Sequence, residues 1–68
     1  NERSDKVRAA LAALPEKYRL PIVLAYYDEA SYDDIAEVLG ISRNHVGVLL
    51  LRGKQALRKA LARPQEGS

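Results

Sequence analysis

Ile35-Ala36-Glu37-Val38-Leu39-Gly40-Ile41-Ser42-Arg43-Asn44-His45-Val46 has the residue spacing of a helix-turn-helix. Ala36 is small where two helices would cross closely. Gly40 follows four residues later and suits a turn with positive φ, which glycine adopts without steric penalty. Ser42 is placed to cap the next helix through its hydroxyl. Val46 then packs the second helix back on the first, with Ile35, Leu39 and Ile41 sealing the corner. An ordinary helical hairpin needs only the capping glycine. The coincidence of the small residue, the turn glycine, the capping serine and the β-branched anchor favours the helix-turn-helix, which presents its second helix to the major groove.

Upstream, Ser31-Tyr32-Asp33-Asp34 carries the spacing of a capping box, with a carboxylate at the third helical position. Asp33 and Asp34 also suit the positive end of a helix dipole. This predicts a helix over Tyr32–Leu39. A preceding helix is expected from Pro15, at the first helical position, to about Asp28. Pro21 inside it removes one backbone donor and is expected to kink the axis near Lys17. The first helix is expected from Asp5 to about Ala13, capped by Ser4. The last is expected from the Ser42 cap to about Ala62, with Val46, Leu50, Gly53, Leu57 and Leu61 as its inner stripe. The fold class is therefore all-α, a four-helix domain over residues 1–62 with no sheet. Residues 63–68 are expected to form a disordered polar tail. The expected core is Leu11, Leu14, Tyr18, Ile22, Leu24, Ile35, Leu39, Val46, Leu50 and Leu57.

Composition narrows the function. The 68 residues contain no Cys and one His, which excludes disulfides and makes a metal centre an unsupported reading. No apolar run is long enough to span a bilayer, and no basic-then-apolar signal segment opens the chain. The absence of Cys fits a reducing cytoplasm. Asn1 begins in what reads as mid-protein, so an excised domain with an N-terminal neighbour is expected. An enzyme is rejected. There is no phosphate-cradling glycine loop, His45 has no nearby Ser or Cys partner, and the acids are spread over helix starts. No cofactor and no small-molecule substrate is implied.

The formal net charge is only +2, but it is unevenly spread. Residues 1–40 hold five Lys or Arg and eight acids, net −3; residues 41–68 hold six and one, net +5. A pole this basic suits a polyanion, although a solvated Lys/Arg-rich helix would look the same by charge alone. The first turn of the last helix decides between them. Arg43 and His45 stand where the helix dipole disfavours cations, so folding alone would place acids there. Arg can bond bidentately to guanine and Asn to adenine. The base-facing set is Ser42, Arg43, Asn44, His45, Gly47 and Val48. Arg52, Lys54, Arg58 and Lys59 suit phosphate contacts, which position a protein without reading sequence. Val48 and Leu51 are apolar on the outward side and could meet thymine methyls, a protein partner or the second helix. With Leu49 they form the candidate partner-binding set.

Taken together, Leu14-Pro15-Glu16-Lys17-Tyr18-Arg19, Pro21-Ile22-Val23-Leu24, Tyr27, Ser31 to Ser42, Val46 and Arg52-Gly53-Lys54-Gln55-Ala56-Leu57 resemble region 4 of sigma factors, nearest to the extracytoplasmic-function (ECF) group of the sigma-70 family. The resemblance covers residues 7–61. It implies a domain that reads the promoter −35 element through the second helix-turn-helix helix and grips the flap of the RNA polymerase β subunit. It also implies an anti-sigma factor as a regulating partner. The chain departs from that pattern at Gly47, where a basic residue is usual, and at Leu49, where arginine is frequent. It departs again at Glu29, where glycine commonly turns the chain, and at Ala30, where a larger apolar residue is usual. Two other readings compete: the helix-turn-helix output domain of a response regulator, which the Leu14–Arg19 opening disfavours, and a protein-interaction module with little DNA affinity.

Overall fold

A computed structural model describes the backbone over residues 2–62, with side chains from Ser4. Four helices follow in order: α1 Glu2–Ala13, α2 Glu16–Tyr26, α3 Tyr32–Leu39 and α4 Arg43–Ala62. There is no strand among the described residues. The expected tail, 63–68, lies outside them. α1 already begins at Glu2, so Ser4 stands inside the helix and does not cap it. Pro15, expected as the first helical residue, is instead the N-cap of α2, which begins one residue later at Glu16. That helix stops at Tyr26, two residues short of expectation.

Local chemistry sets three of the helix ends. The Ser31 hydroxyl accepts from the Asp34 N–H at 3.1 Å, and the Asp34 carboxylate accepts from the Ser31 N–H at 3.4 Å. This is the reciprocal capping box. Gly40 ends α3 at φ 68. The Ala36 carbonyl accepts from the N–H of both Gly40 and Ile41 there. These bonds satisfy an otherwise orphaned carbonyl at the helix C-terminus. Between α1 and α2, the Arg19 guanidinium reaches back to the carbonyls of Ala12 at 3.3 Å and Leu14 at 3.2 Å. A cation there opposes the negative end of the α1 dipole. Arg19 therefore ties the first helix to the second.

α4 packs against each of the other three helices, and α2 also meets α3. Leu11, Leu14, Ile22, Ile35, Val46 and Leu50 form the buried cluster. Tyr18, Leu24, Leu39 and Leu57, expected in the core, pack against it but are only half-buried. Ala10, Pro21 and Gly53 are buried as well. Leu61, expected on the inner stripe, is exposed. α4 has 20 residues against 8 to 12 for its neighbours. Its last turn is covered only in part: Ala60 is half-buried and lies with Ala13 and Leu14, at the end of α1, around one shallow hollow, while Leu61 is exposed.

Glu29 has φ 53, the left-handed region, on the stretch joining α2 to α3. The Ala30 N–H donates to the Leu24 carbonyl at 3.0 Å across the same turn. For an L-residue this backbone costs about 1–2 kcal/mol. Glycine escapes that cost but gives back part of it, about 0.4–1 kcal/mol, as extra unfolded-state entropy. Glu29→Gly is expected to raise the unfolding free energy by about 0.5–1 kcal/mol on this balance. Urea unfolding of the two chains measures it, and an unchanged or lower midpoint contradicts strain at this turn.

Candidate nucleic-acid interface

The corner built by Gly40 and Ile41 sends α4 away from α3 with its first turn exposed. The Ser42 hydroxyl accepts from the His45 N–H at 3.1 Å, so that oxygen is engaged as the N-cap. Arg43, Asn44 and His45 follow, all exposed. Val46, Leu50 and Gly53 are buried and define the inner side of the helix. The helical repeat then sorts the other candidates into strips. Asn44 and Val48 lie outermost, both exposed. Arg43, Gly47, Leu51 and Lys54 run along one flank. His45, Leu49 and Arg52 run along the other. Arg52, Lys54, Arg58 and Lys59 are exposed and carry the basic pole down the helix.

The apolar candidates divide. Val48 and Leu51 are 42% and 60% exposed and do not pack on the second helix as core. Leu49, expected on the outside, is half-buried. It lines an open apolar groove of about 260 Å³ with Lys17, Leu20, Pro21, Leu39, Ile41 and His45. His45 therefore borders that groove and not the outermost strip. The buried strip of α4 meets α2 and α3 at an angle, and position 49 falls on their side of the helix.

Asp33, Tyr26 and Tyr32 adjoin this surface although the sequence pattern assigns none of them to it. Asp33 pairs with Arg43, carboxylate to guanidinium at 3.5 Å. Both side chains are more than two-thirds exposed, so water screens the pair and it holds Arg43 only weakly. The Lys54 ammonium lies 5.6 Å from the centre of the Tyr26 ring. Lys54 titrates above its ordinary value, first through hydrogen bonding to Tyr26 and then through the charge of Tyr26, against desolvation, with the charge of Tyr32 adding least. The Tyr32 ring stands beside Gly47, whose Cβ, if present, would lie 3.7 Å from Tyr32 Cε2. Both tyrosines sit at helix ends, where apolar periodicity does not tell which neighbour a ring will meet. Among the described residues no cluster of His, Cys, Asp and Glu could hold a metal ion, and no helix is long and apolar enough to cross a membrane.

The family model described as Sigma-70, region 4 matches residues 4–57. The chain is 43% identical over 60 residues to ECF RNA polymerase sigma factor SigW of Bacillus subtilis, covering 88% of this chain and 32% of that protein. It is 40% identical over 60 residues to RNA polymerase sigma factor SigF of Mycobacterium tuberculosis, covering 88% of this chain and 23% of that protein. It is 37% identical over 57 residues to ECF RNA polymerase sigma factor SigE of Mycolicibacterium smegmatis, covering 84% and 22%. The chain thus spans a third or less of these three relatives. No solved structure matches it.

Proposed function

The chain belongs to the sigma-70 region 4 family, and on that footing we propose that it is the promoter −35-reading domain of an alternative sigma factor of the ECF type, directing RNA polymerase to initiate transcription in the cytoplasm. One observation carries the reading most directly. The exposed first turn of α4, capped by Ser42, offers Arg43 and Asn44 outward on a helix whose inner face is closed by Val46 and Leu50. These are the side chains whose donor patterns match guanine and adenine edges. The basic residues further along α4 supply the phosphate contacts that hold the register. The family argues against a response-regulator output domain.

The role as a protein-binding module is compatible with DNA reading, and the groove lined by Leu20, Pro21, Leu39, Ile41 and Leu49 supports it. RNA polymerase, through its β flap, and an anti-sigma factor are the proposed protein partners. Gly47 and Leu49 remove two positions where cations would bind phosphate. Each phosphate contact contributes roughly 0.9 to the slope of log affinity on log salt, so three or four contacts bind weakly at physiological salt. Tethering to polymerase raises the effective concentration without new contacts.

Selection from a pool of short duplexes with a randomised centre, at low salt, tests the reading. The chain is expected to enrich one short motif over scrambled sequence. Uniform retention of all duplexes would assign the basic pole to non-specific binding and end the −35 proposal.

A further inference from the structure

From Val46 to Leu51 the sequence of α4 offers no side-chain hydrogen-bond donor or acceptor. Val46 and Leu50 are buried, and Leu49 lines the groove beside Pro21. Val48 and Leu51 are therefore the exposed hydrocarbon of this stretch, with the bare Gly47 next to them. Residues three apart are neighbours on a helix surface, so the two side chains form one apolar patch. Asn44 stands about one turn before Val48, roughly 6 Å along the axis. When the first turn of a recognition helix reaches base edges in the major groove, this patch comes against edges too. Most groups on those edges are hydrogen-bond donors and acceptors. Pressed against valine, such a group loses its water and gains no partner, which costs free energy. The thymine C5 methyl is the one apolar group that projects from them, and covering it with hydrocarbon is favourable.

We propose that Val48 selects thymine by its C5 methyl, with Leu51 extending the same apolar contact, roughly two base pairs from the one that Asn44 reads. This rests on α4 being the DNA-reading helix. Val48 is β-branched and largely confined to one rotamer in a helix, so its methyls are held in place and lose little freedom on binding. The contact discriminates thymine from cytosine, which lacks the methyl and presents an amino donor instead. It involves no charge and releases no counterion, so it adds sequence preference without adding to the salt dependence.

The test uses the 68-residue chain and the duplex enriched by the selection above. Each thymine of the motif is replaced in turn by uracil, which removes the C5 methyl and keeps the base pair. One replacement is expected to weaken binding about three- to fivefold, the size of one buried methyl group, with the salt slope unchanged. At that position 5-methylcytosine is expected to bind more tightly than cytosine by a similar factor. Val48→Ala is expected to weaken binding to the parent duplex and to remove the uracil penalty, and Leu51→Ala to reduce it in part. Alanine is the better helix former, so a thermal midpoint that does not fall places the loss in binding and not in folding. Arg43→Ala is run beside them. If Arg43→Ala weakens binding while uracil is tolerated at every thymine, the methyl contact alone fails. A uracil penalty that survives Val48→Ala means the methyl is read elsewhere, and the assignment to Val48 is wrong. Unchanged DNA binding by Val48→Ala would leave the patch to a protein partner and overturn the inference, as would an enriched motif with no A·T pair. If neither Arg43→Ala nor any uracil matters, DNA reading by α4 fails and takes the inference with it.

Discussion

Gly53→Leu is expected to lower the unfolding free energy by about 2–3 kcal/mol, through overpacking less the gain in helix propensity. Gly53 is buried in α4 where that helix crosses α2. A Cβ placed there would lie 2.8 Å from Ile22 Cδ1, 3.3 Å from Ile22 Cγ1 and 3.4 Å from Tyr18 Cβ. Ile22 is 2% exposed, so its terminal methyl has nowhere open to turn. A single methyl in its place asks for a small shift of Ile22. A leucine asks α2 and α4 to separate, which opens the most extensive helix–helix contact among the described residues.

A domain of 68 residues has about 3–10 kcal/mol of stability at roughly 0.05–0.15 kcal/mol per residue. The expected loss is a large share of it and should depress the thermal midpoint by roughly 10–20 °C. Gly47→Ala is the control on the same helix. Its Cβ would meet Tyr32 at 3.7 Å, an ordinary contact, and alanine is the better helix former by about 0.8–1 kcal/mol. The midpoint should rise. Calorimetry of the two variants decides the matter. Equal midpoints would mean that α2 and α4 are not in close contact at Gly53.

Arg43→Ala is expected to cost about 1–3 kcal/mol of affinity for the preferred duplex and to relax preference at one base pair. The cost arises because a bidentate arginine contact is specific to one base edge. Asp33 does not protect against it. The Asp33–Arg43 pair is solvent-exposed in the free protein and gives way to DNA at little cost. Arg58→Ala should behave differently. Arg58 lies four turns along α4, exposed, where a side chain meets phosphate and not base edges. Its loss should weaken all duplexes alike and flatten the salt slope by roughly one unit. Competition titrations with single-base-pair variants of the duplex separate the two effects. The role assignment is wrong if Arg43→Ala leaves discrimination intact while Arg58→Ala abolishes it.

Those expectations differ in where their support originates. The Ser31 capping box, the left-handed Gly40 and the Ser42 cap were legible in the sequence, and each appears in the structure with its hydrogen bonds. They are legible because each joins groups three to five residues apart, and such geometry depends only on residue type and spacing. Apolar periodicity likewise marked Leu11, Leu14, Ile22, Ile35, Val46 and Leu50, all buried. It overreached at Leu61, which is exposed although its neighbour Ala60 is half-buried. Periodicity names a face of a helix but not the length over which another helix covers it.

The four helices, the helix-turn-helix corner and the exposed polar turn that follows Ser42 can be read from residue order, since they follow from backbone capping and one-dimensional patterning. Which glycine of α4 is a tight crossing and which is an open notch is settled by the packing of separate helices. Gly53 faces Ile22 and Gly47 faces Tyr32, yet both are glycines six residues apart in one helix. It also turned Leu49 into the groove beside Pro21 and Leu39, brought Arg19 onto the end of α1, and set Tyr26 and Tyr32 beside Lys54. Each of these joins separate helices through packing, and the angle and depth at which helices meet is a joint property of all their side chains.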